Sequence, residues 1–192
     1  RPPRSTLFPY TTLFRSVSER LHDIHAWQLV RQPRAHKVNF DQATLATKMC
    51  FARRLEVLDM SYATFDGWPT LLPLTLRELY LHGTKGFAFP AAWHLLNQTL
   101  EILAADVDGA APEWLGSFHK ARVMDFRCHN GNFTIAANFC PLSQLQTLRL
   151  MSCNVLGGLP ACIGDLSQLE VVSALLSNKL LTVCSSSICR SR

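Results

Sequence analysis

A period of 24 residues runs through the second half of the chain and restricts its fold more than any other feature. One full unit occupies Leu142, Leu145, Leu148, Leu150, Cys153, Val155, Gly157, Leu159, Pro160, Ile163 and Gly164, and Leu166 opens the next unit. The unit reads L-x-x-L-x-x-L-x-L-x-x-C-x-V-x-G-x-L-P-x-x-I-G-x. A repeat of about 20 to 30 residues cannot bury its apolar face alone and must stack on its neighbours, so the chain is predicted to form a solenoid.

Earlier copies extend the pattern toward the N-terminus. A step of 24 residues back reaches Phe118, Ala121, Met124, Phe126, His129, Gly131, Ile135 and Phe139. A second step reaches Leu100, Ile102, Val107, Gly109, Pro112, Leu115 and Gly116. Before them, Leu55-x-x-Leu58-x-Met60 and Leu76-x-x-Leu79-x-Leu81 recur at spacings of 21, with Pro69 and Pro90 in the proline slot. Amphipathic helices do not explain this pattern, because the L-x-L step has a period of two and the repeated glycine and proline would break helices.

The array resembles the leucine-rich repeat family, and its L-x-G-x-L-P-x-x-I-G half is similar to the plant-type, mostly extracellular subclass. The resemblance covers about Leu55 to Ile188. It implies an α/β solenoid with a parallel concave β-sheet and an irregular or 3-10 convex side. Each L-x-L would turn its two leucines into the core and the residue between them outward. The family's asparagine or cysteine slot, which binds the backbone where the chain leaves the strand, holds Cys153, His129, Ala105, Thr84 and Ala63.

Residues 1–16 do not belong to the repeat. They resemble an in-frame translation of a short-read sequencing-library adapter, with all sixteen codons matching, so we expect an adapter-derived, disordered segment. This segment contains Arg1, Arg4 and Arg15 and no acidic residue, so the formal net charge falls from +5 to +2 without it. A charge this small removes the argument for nucleic acid or an anionic membrane as a partner.

Both ends of the repeat array are irregular. Residues 17–54 are predicted to be a degenerate N-terminal cap or repeat, in which Val38-x-Phe40-x-x-Ala43-x-Leu45 fits the strand half. Residues 55–192 are the repeat array, whose last repeat drifts by one residue between Leu169-x-x-Val172-x-Ala174 and Asn178-Lys179-Leu180, which fits the next slots through Ile188. Since terminal repeats need polar caps, we expect a fragment of a longer protein that folds poorly alone.

Cysteine and histidine form no recognisable metal or catalytic motif. Cys128, Cys140, Cys153 and Cys162 lack the paired C-x-x-C spacing of a zinc site, and the sequence identifies no base or oxyanion donor for a cysteine nucleophile. We therefore expect no enzyme activity, no metal site and no cofactor. A disulfide between Cys140 and Cys162, two columns apart in neighbouring repeats, stays open as an alternative to free thiols.

The outward strand residues are the candidate binding surface, because the repeats fix the shape of the sheet while its exposed side chains are free to vary. Inside the L-x-L steps they are Asp59, Tyr80, Glu101, Asp125 and Arg149, and after the second leucine they are Ser61, His82, Leu103, Arg127 and Met151. The predicted ligand-binding set is Asp59, Tyr80, His82, Glu101, Asp125, Arg127, Arg149 and Met151. It is acidic toward the N-terminus and basic toward the C-terminus. The alternative is a solvated sheet face whose charges only keep it soluble.

The resemblance implies a non-enzymatic recognition module, extracellular or at the cell surface, that binds a protein, peptide or cell-wall carbohydrate on its concave face. One alternative is the sensor ectodomain of a longer receptor-like kinase or other signalling protein, which would reach the membrane only through a segment outside this sequence. Another is a cytoplasmic immune-type sensor, which would carry a P-loop upstream of Val17. The sequons beginning at Asn97 and Asn132 agree with an extracellular location and mark candidate glycosylation sites.

Overall fold

The computed structural model describes residues 39–40, 49, 52, 54–65, 70–84, 89–135, 137–176 and 179–184. The strands in these residues are β1 (Asn39–Phe40), β2 (Val57–Asp59), β3 (Thr64–Phe65), β4 (Glu78–Leu81), β5 (Ile102–Ala110), β6 (Val123–Thr134), β7 (Thr147–Val155), β8 (Val171–Leu176) and β9 (Lys179–Cys184). The 3-10 helices are η1 (Ala91–Gln98), η2 (Glu113–Ser117), η3 (Ala137–Phe139) and η4 (Ala161–Asp165). The adapter-like segment, residues 1–16, lies outside the described residues.

One sheet carries the fold. Its strand order is β2-β4-β5-β6-β7-β8-β9, and every pair from β2 to β8 is parallel. Parallel neighbours need a crossover connection, and from β5 onward each crossover contains one of the helices η2 to η4, while η1 lies between β4 and β5. The predicted solenoid with a parallel sheet on one side and 3-10 turns on the other is confirmed. We call the sheet face opposite the 3-10 helices the concave face.

Two rows of inward side chains make the core under the sheet. The first row pairs Leu58, Leu79, Leu103, Met124, Leu148 and Val172 across successive strands, and all six are buried. The second row pairs Leu81, Ala105, Phe126 and Leu150. Ala105 lies directly beside Phe126, so a small residue makes room for a large one at constant packing density.

Aromatic rings fill the space between the sheet and the convex turns. The ring centroid of Phe126 lies 6.2 Å from that of Phe89, 5.7 Å from Phe133 and 6.5 Å from Phe139. Trp114 stacks edge-on against Phe89 at 5.7 Å and Phe118 at 5.5 Å. Edge-to-face pairs of this kind contribute about 0.5–1.5 kcal/mol each beyond the area they bury. The aromatic cluster therefore binds the middle repeats together where leucine is replaced by phenylalanine.

The proline slot starts the convex turns. Pro90, Pro112 and Pro160 have φ of −63°, −58° and −57°, close to the value that the proline ring imposes. The carbonyl of each proline accepts the N–H of the third following residue, which are Trp93, Leu115 and Ile163 at 3.0, 3.1 and 3.0 Å. These three residues are buried in the core. The proline thus sets the direction in which each convex turn reaches the core.

The two ends of the array differ from the sequence-based interpretation. The pair Asn39–Phe40 is parallel to β3, which follows the turn after β2, so Val38-x-Phe40 does not occupy an L-x-L strand of the main sheet. Leu169 and Val172 show no drift, because Val172 pairs with Leu148 as the 24-residue period requires. The next segment does not continue the repeat, since β9 runs antiparallel to β8. A two-residue connection permits this reversal but is too short for a parallel crossover.

Two disulfides join the β6 repeat to the β7 repeat. Cys140 and Cys162 are bonded on the convex side, so the pairing that the sequence left open is present. Cys128 and Cys153 are bonded at the far ends of β6 and β7, with a Cα–Cα distance of 4.9 Å. The sequence had placed His129 in the column of Cys153. The register between β6 and β7 shifts after Arg127 and resumes at Asn132 opposite Asn154, and Cys128 is the residue brought to Cys153.

We expect these disulfides to contribute to stability. Replacing Cys128 and Cys153 together by alanine should lower the free energy of unfolding by about 2–4 kcal/mol, because the cross-link restricts the unfolded chain. Urea denaturation measures this loss. Without reductant, trypsin should leave the peptide 128–149 linked to the peptide 150–179, because each peptide holds one cysteine of each pair. Two separate peptides in the mass spectrum would contradict both pairings.

Close packing between convex turns predicts a second effect. A Cβ added at Gly116 in η2 would lie 2.0 Å from the carbonyl oxygen of Asn138 in η3. Because a backbone atom cannot move aside, Gly116→Ala should lower the free energy of unfolding by about 1–3 kcal/mol in urea denaturation. The control Glu113→Ala, at an exposed position of the same turn, should change it by less than about 0.5 kcal/mol. Equal stability of the two variants would show that the turns do not approach this closely.

Candidate functional site

The strand register fixes which side chains share the concave face. Across the L-x-L step the paired residues are Asp59, Tyr80, Ala104, Asp125, Arg149 and Ser173. Two residues further along, Asp106 pairs with Arg127 and Arg127 pairs with Met151, and His82 follows β4 beside Asp106. The structure thus brings seven of the eight predicted residues to one face: Asp59, Tyr80, His82, Asp125, Arg127, Arg149 and Met151.

The prediction for Glu101 is wrong. Its backbone N–H donates to the carbonyl of Arg77 at 2.7 Å, and its carbonyl accepts the N–H of Arg122 at 2.8 Å. Glu101 therefore lies in a row at the edge where the strands begin, and Ala104 takes the position inside the L-x-L step. The reason is that Leu103 pairs with Met124, a step of 21 residues, whereas the sequence analysis counted 24. The same three-residue error placed Leu103 on the surface and Ala105 in the turn slot, although both are buried in the core.

A chain of charged groups crosses four strands of the concave face. His82 Nδ1 lies 3.0 Å from Asp106 Oδ1, and His82 Nε2 lies 3.9 Å from Asp125 Oδ1. On its other side, Asp125 Oδ2 lies 3.6 Å from Nη1 of Arg149. The side chains of Asp106, His82, Asp125 and Arg149 are 4%, 14%, 20% and 47% exposed, so the chain runs from the interior to the surface. We call these four residues the concave charge network.

Asp106 anchors this network, and the sequence analysis missed it. Its Oδ2 accepts the backbone N–H of Gly83 at 2.6 Å, while its Oδ1 contacts His82. Gly83 has a φ of +72°, and the ring of Tyr62 occupies the space that a Cβ there would need. The carboxylate thus secures the turn after β4, a task that the sequence had assigned to the asparagine slot. A signal was present, because the 21-residue spacing of the first repeats also fits Leu103 and places Asp106 beside Arg127.

The acidic end of the face is held by short contacts. The hydroxyl of Tyr80 donates to Glu78 Oε2 at 2.9 Å, and the N–H of Ser61 donates to Asp59 Oδ1 at 3.1 Å. Tyr62, with a φ of +62°, donates its N–H to the carbonyl of His82 and leaves its side chain 51% exposed. Glu78 and Tyr62 therefore join the surface, although neither was predicted. These side chains are oriented before any ligand arrives.

The basic end of the face is open to solvent. Arg127 is exposed, and Met151 is 45% exposed although it is a large apolar residue. Among the described residues, Asp125 Oδ1 is a buried oxygen without a hydrogen bond, and it lies between the acidic and basic ends. The face offers acceptors at one end, donors at the other and apolar contacts at both.

The two sequons lie away from the concave face. Asn97 is half-buried in η1, on the convex side. Asn132 is exposed at the far end of β6, and its Oδ1 accepts a hydrogen bond from Nδ2 of Asn154 at 3.1 Å. The amide nitrogen of Asn132, to which a glycan would attach, does not make this bond. Glycosylation at both positions remains a prediction.

The described residues contain no group of three or more histidine, cysteine or acidic side chains arranged to hold a metal ion. None of the helices in this part of the chain has the length and hydropathy of a membrane span. Cys128, Cys140, Cys153 and Cys162 are all disulfide-bonded, so none of these four is a thiol nucleophile. The concave charge network is therefore a set of recognition groups rather than a nucleophile with its base.

Comparison with solved structures identifies the fold. The LRR ectodomain of the plant membrane receptor kinase GASSHO1/SCHENGEN3 from Arabidopsis thaliana, in complex with CASPARIAN STRIP INTEGRITY FACTOR 2, is similar with a TM-score of 0.64 and 22% identity, over 82% of this chain and 19% of that chain. The plant peptide hormone receptor RGFR1 in complex with RGF2 is similar with a TM-score of 0.57 and 16% identity, over 80% and 30% of the two chains. The fold is a leucine-rich repeat solenoid.

A bacterial protein shows the same solenoid. Internalin C2 from Listeria monocytogenes is similar with a TM-score of 0.55 and 13% identity, over 77% of this chain and 72% of that chain. The sequence matches no protein-family model, and no curated protein matches it. This solenoid spans less than a third of either plant receptor ectodomain.

The position of Asp106 predicts a loss of stability on mutation. Asp106→Ala should lower the free energy of unfolding by about 1–3 kcal/mol, because the buried N–H of Gly83 and the ring of His82 lose their acceptor. The control Glu101→Ala breaks a pair with Arg77 whose side chains are 30% and 60% exposed, and such a pair contributes at most about 1 kcal/mol. Urea denaturation compares the two variants. A larger loss for Glu101→Ala would show that the register described above is wrong.

Proposed function

We propose that this chain is a non-enzymatic recognition module that binds a protein or peptide on its concave face. The observation that carries the proposal is the order of charges on that face. Carboxylates of Asp59, Glu78 and Asp125 occupy the side of β2 to β6, and the guanidinium groups of Arg127 and Arg149 occupy the side of β6 and β7. A ligand that crosses the strands would meet acceptors first and donors afterwards.

A peptide fits this surface better than a small molecule. The surface is a row across successive strands about 4.8 Å apart, so Asp59 and Arg149 are separated by roughly 19 Å. An extended peptide, at about 3.3 Å per residue, covers this distance with about six residues. Tyr62, Tyr80 and Met151 supply apolar contacts of the type that concentrate binding energy at protein interfaces. We infer a ligand with a basic residue at one end and an acidic residue at the other.

The similar structures support this use of the fold. GASSHO1/SCHENGEN3 was solved with CASPARIAN STRIP INTEGRITY FACTOR 2, and RGFR1, a peptide hormone receptor, with RGF2. Two disulfides in the described residues favour an oxidising compartment, and we propose an extracellular or cell-surface location. Glycans at Asn97 and Asn132 would leave the concave face uncovered.

A second candidate is the sensor ectodomain of a receptor-like kinase or another signalling protein. The observation that favours it is that GASSHO1/SCHENGEN3 and HAESA, two similar structures, are receptor kinase ectodomains. Sequencing the locus beyond residue 192 separates the candidates. A hydrophobic span of about 20 residues followed by a glycine-rich kinase loop would decide for the second.

The charge order can be tested with a displayed library of random peptides of at least about six residues. Selection on the chain should enrich peptides with a basic residue toward one end and an acidic residue toward the other. Asp59→Asn combined with Asp125→Asn should weaken the selected peptides about tenfold in fluorescence anisotropy, because the variant loses the acceptors for the basic residue. Arg127→Gln combined with Arg149→Gln should weaken them through the acidic residue.

Glu101→Gln is the matched control, since Glu101 carries the same charge but lies off the concave face. It should leave the affinities unchanged. If the selected peptides bind the two double variants as tightly as the original chain, or if Glu101→Gln weakens them equally, the site lies on another surface.

A further inference from the structure

A polar groove follows the edge of the sheet where the strands begin. Its volume is about 880 Å³, and it is lined by residues from five consecutive repeats, from Arg54 to Gln144. The ionised groups in its lining are Arg54, Arg77, Lys120, Arg122, Glu56 and Glu101. Four positive groups against two negative ones leave the groove cationic. We call it the strand-start groove.

The floor of the groove is a row of side chains that largely neutralise one another. Backbone hydrogen bonds of 2.7 to 2.8 Å align Glu56, Arg77, Glu101, Arg122 and Gln146 across successive repeats. Within this row Arg77 forms an ion pair with Glu101, and Nη2 of Arg122 donates to Oε1 of Gln146 at 3.2 Å. The floor therefore contributes polarity and little net charge.

The net positive charge comes from the rim. Arg54 and Lys120 are exposed and each lies two residues before a floor residue of its own repeat. In the part of the chain that the structure describes, no carboxylate lies within 4.0 Å of the charged nitrogens of Arg54, Lys120 or Arg122. Three cations along one groove, with carboxylates paired elsewhere, favour an anionic ligand.

The remaining lining indicates the class of anion. Gln98, Thr99 and Gln144 present amide and hydroxyl groups, and Leu74 is the one apolar side chain in the lining. The lining contains no aromatic residue, whereas binding sites for proteins and peptides rely on aromatic and apolar anchors. The groove advances one repeat about every 4.8 Å, so its polar groups recur along a line. A linear ligand rich in hydroxyl groups and regularly charged matches this arrangement.

We propose that the strand-start groove binds an acidic oligosaccharide, a linear chain of sugars that carry carboxylate or sulfate groups. Arg54, Lys120 and Arg122 bind the anionic groups, and the amides of Gln98 and Gln144 bind hydroxyls. This site is separate from the concave face, whose N-terminal half is acidic and would repel such a ligand. The chain would then hold a peptide and a glycan on different surfaces.

Isothermal titration calorimetry of the 192-residue chain with a linear hexuronate oligomer tests the proposal. We expect saturable binding that weakens as salt is raised, because exposed charges are screened. A sulfated oligosaccharide of equal length distinguishes the two sources of charge. A neutral oligosaccharide of the same length should not bind. Absence of hexuronate and sulfated-oligosaccharide binding, or equal binding of the neutral chain, would overturn the proposal.

Variants locate the site. The triple change Arg54→Gln, Lys120→Gln and Arg122→Gln should weaken the acidic oligosaccharide at least tenfold and leave circular dichroism unchanged, since all three residues are exposed. The control change Arg127→Gln and Arg149→Gln removes two cations of the concave face and should have no effect. If this control weakens binding as much as the triple variant, or if a polyglutamate peptide binds as tightly as the hexuronate, the assignment of site or ligand class is wrong.

The experiment also separates this inference from the function proposed for the concave face. Peptides selected on the concave face should bind the triple variant of the groove with unchanged affinity. Loss of peptide binding in that variant would mean that the two surfaces are one site and would overturn the separate groove. Failure of the peptide selection alone would leave the oligosaccharide result to stand.

Discussion

The pairing of successive parallel strands is the constraint on which the rest of the structure depends. Each repeat buries its leucines only against the repeats before and after it, so the inward rows must align residue by residue. Once Leu79, Leu103 and Met124 are aligned, every outward side chain is assigned to a row as well. The concave face and the strand-start groove are two such rows, separated by three positions along the strand. An error of three residues in one repeat therefore moves a side chain from one functional surface to the other.

Sequence predicted the architecture well because the fold follows from the pattern and not from individual residues. The L-x-L step, the glycines and the prolines repeat often enough that one irregular copy does not hide them. The candidate site follows from single residues in single repeats, and there the irregular copies matter. Leu100 precedes a true L-x-L step whose second member is Ala105, so the apolar pattern alone does not distinguish Leu100-x-Ile102 from Leu103-x-Ala105. Physical pairing chose the second, because Ala105 leaves room for Phe126. This choice removed Glu101 from the concave face and supplied Asp106.

The charged rows are not required by the fold. Exposed ion pairs such as Arg77 with Glu101 contribute little to stability, and a solenoid of this type would stack equally well over neutral side chains. The concave charge network is different, because Asp106 is buried and secures a backbone turn. Its carboxylate has a structural task, while His82, Asp125 and Arg149 extend the same network toward solvent. A site built in this way has its charges positioned by the core beneath it, and a ligand meets groups that need little rearrangement.

The two ends of the concave face are held by different means. The repeats that present Arg127, Arg149 and Met151 are joined by both disulfides, one at the far end of the strands and one on the convex side. The repeats that present Asp59 and Tyr80 are held by hydrogen bonds and by the ring of Tyr62 over Gly83. Covalent links restrict the basic end under every condition that keeps the disulfides oxidised. The acidic end can adjust by local motion of a turn, because nothing but packing and hydrogen bonds fixes it in the described residues. A ligand that spans both ends would therefore be positioned by the basic end and accommodated by the acidic one.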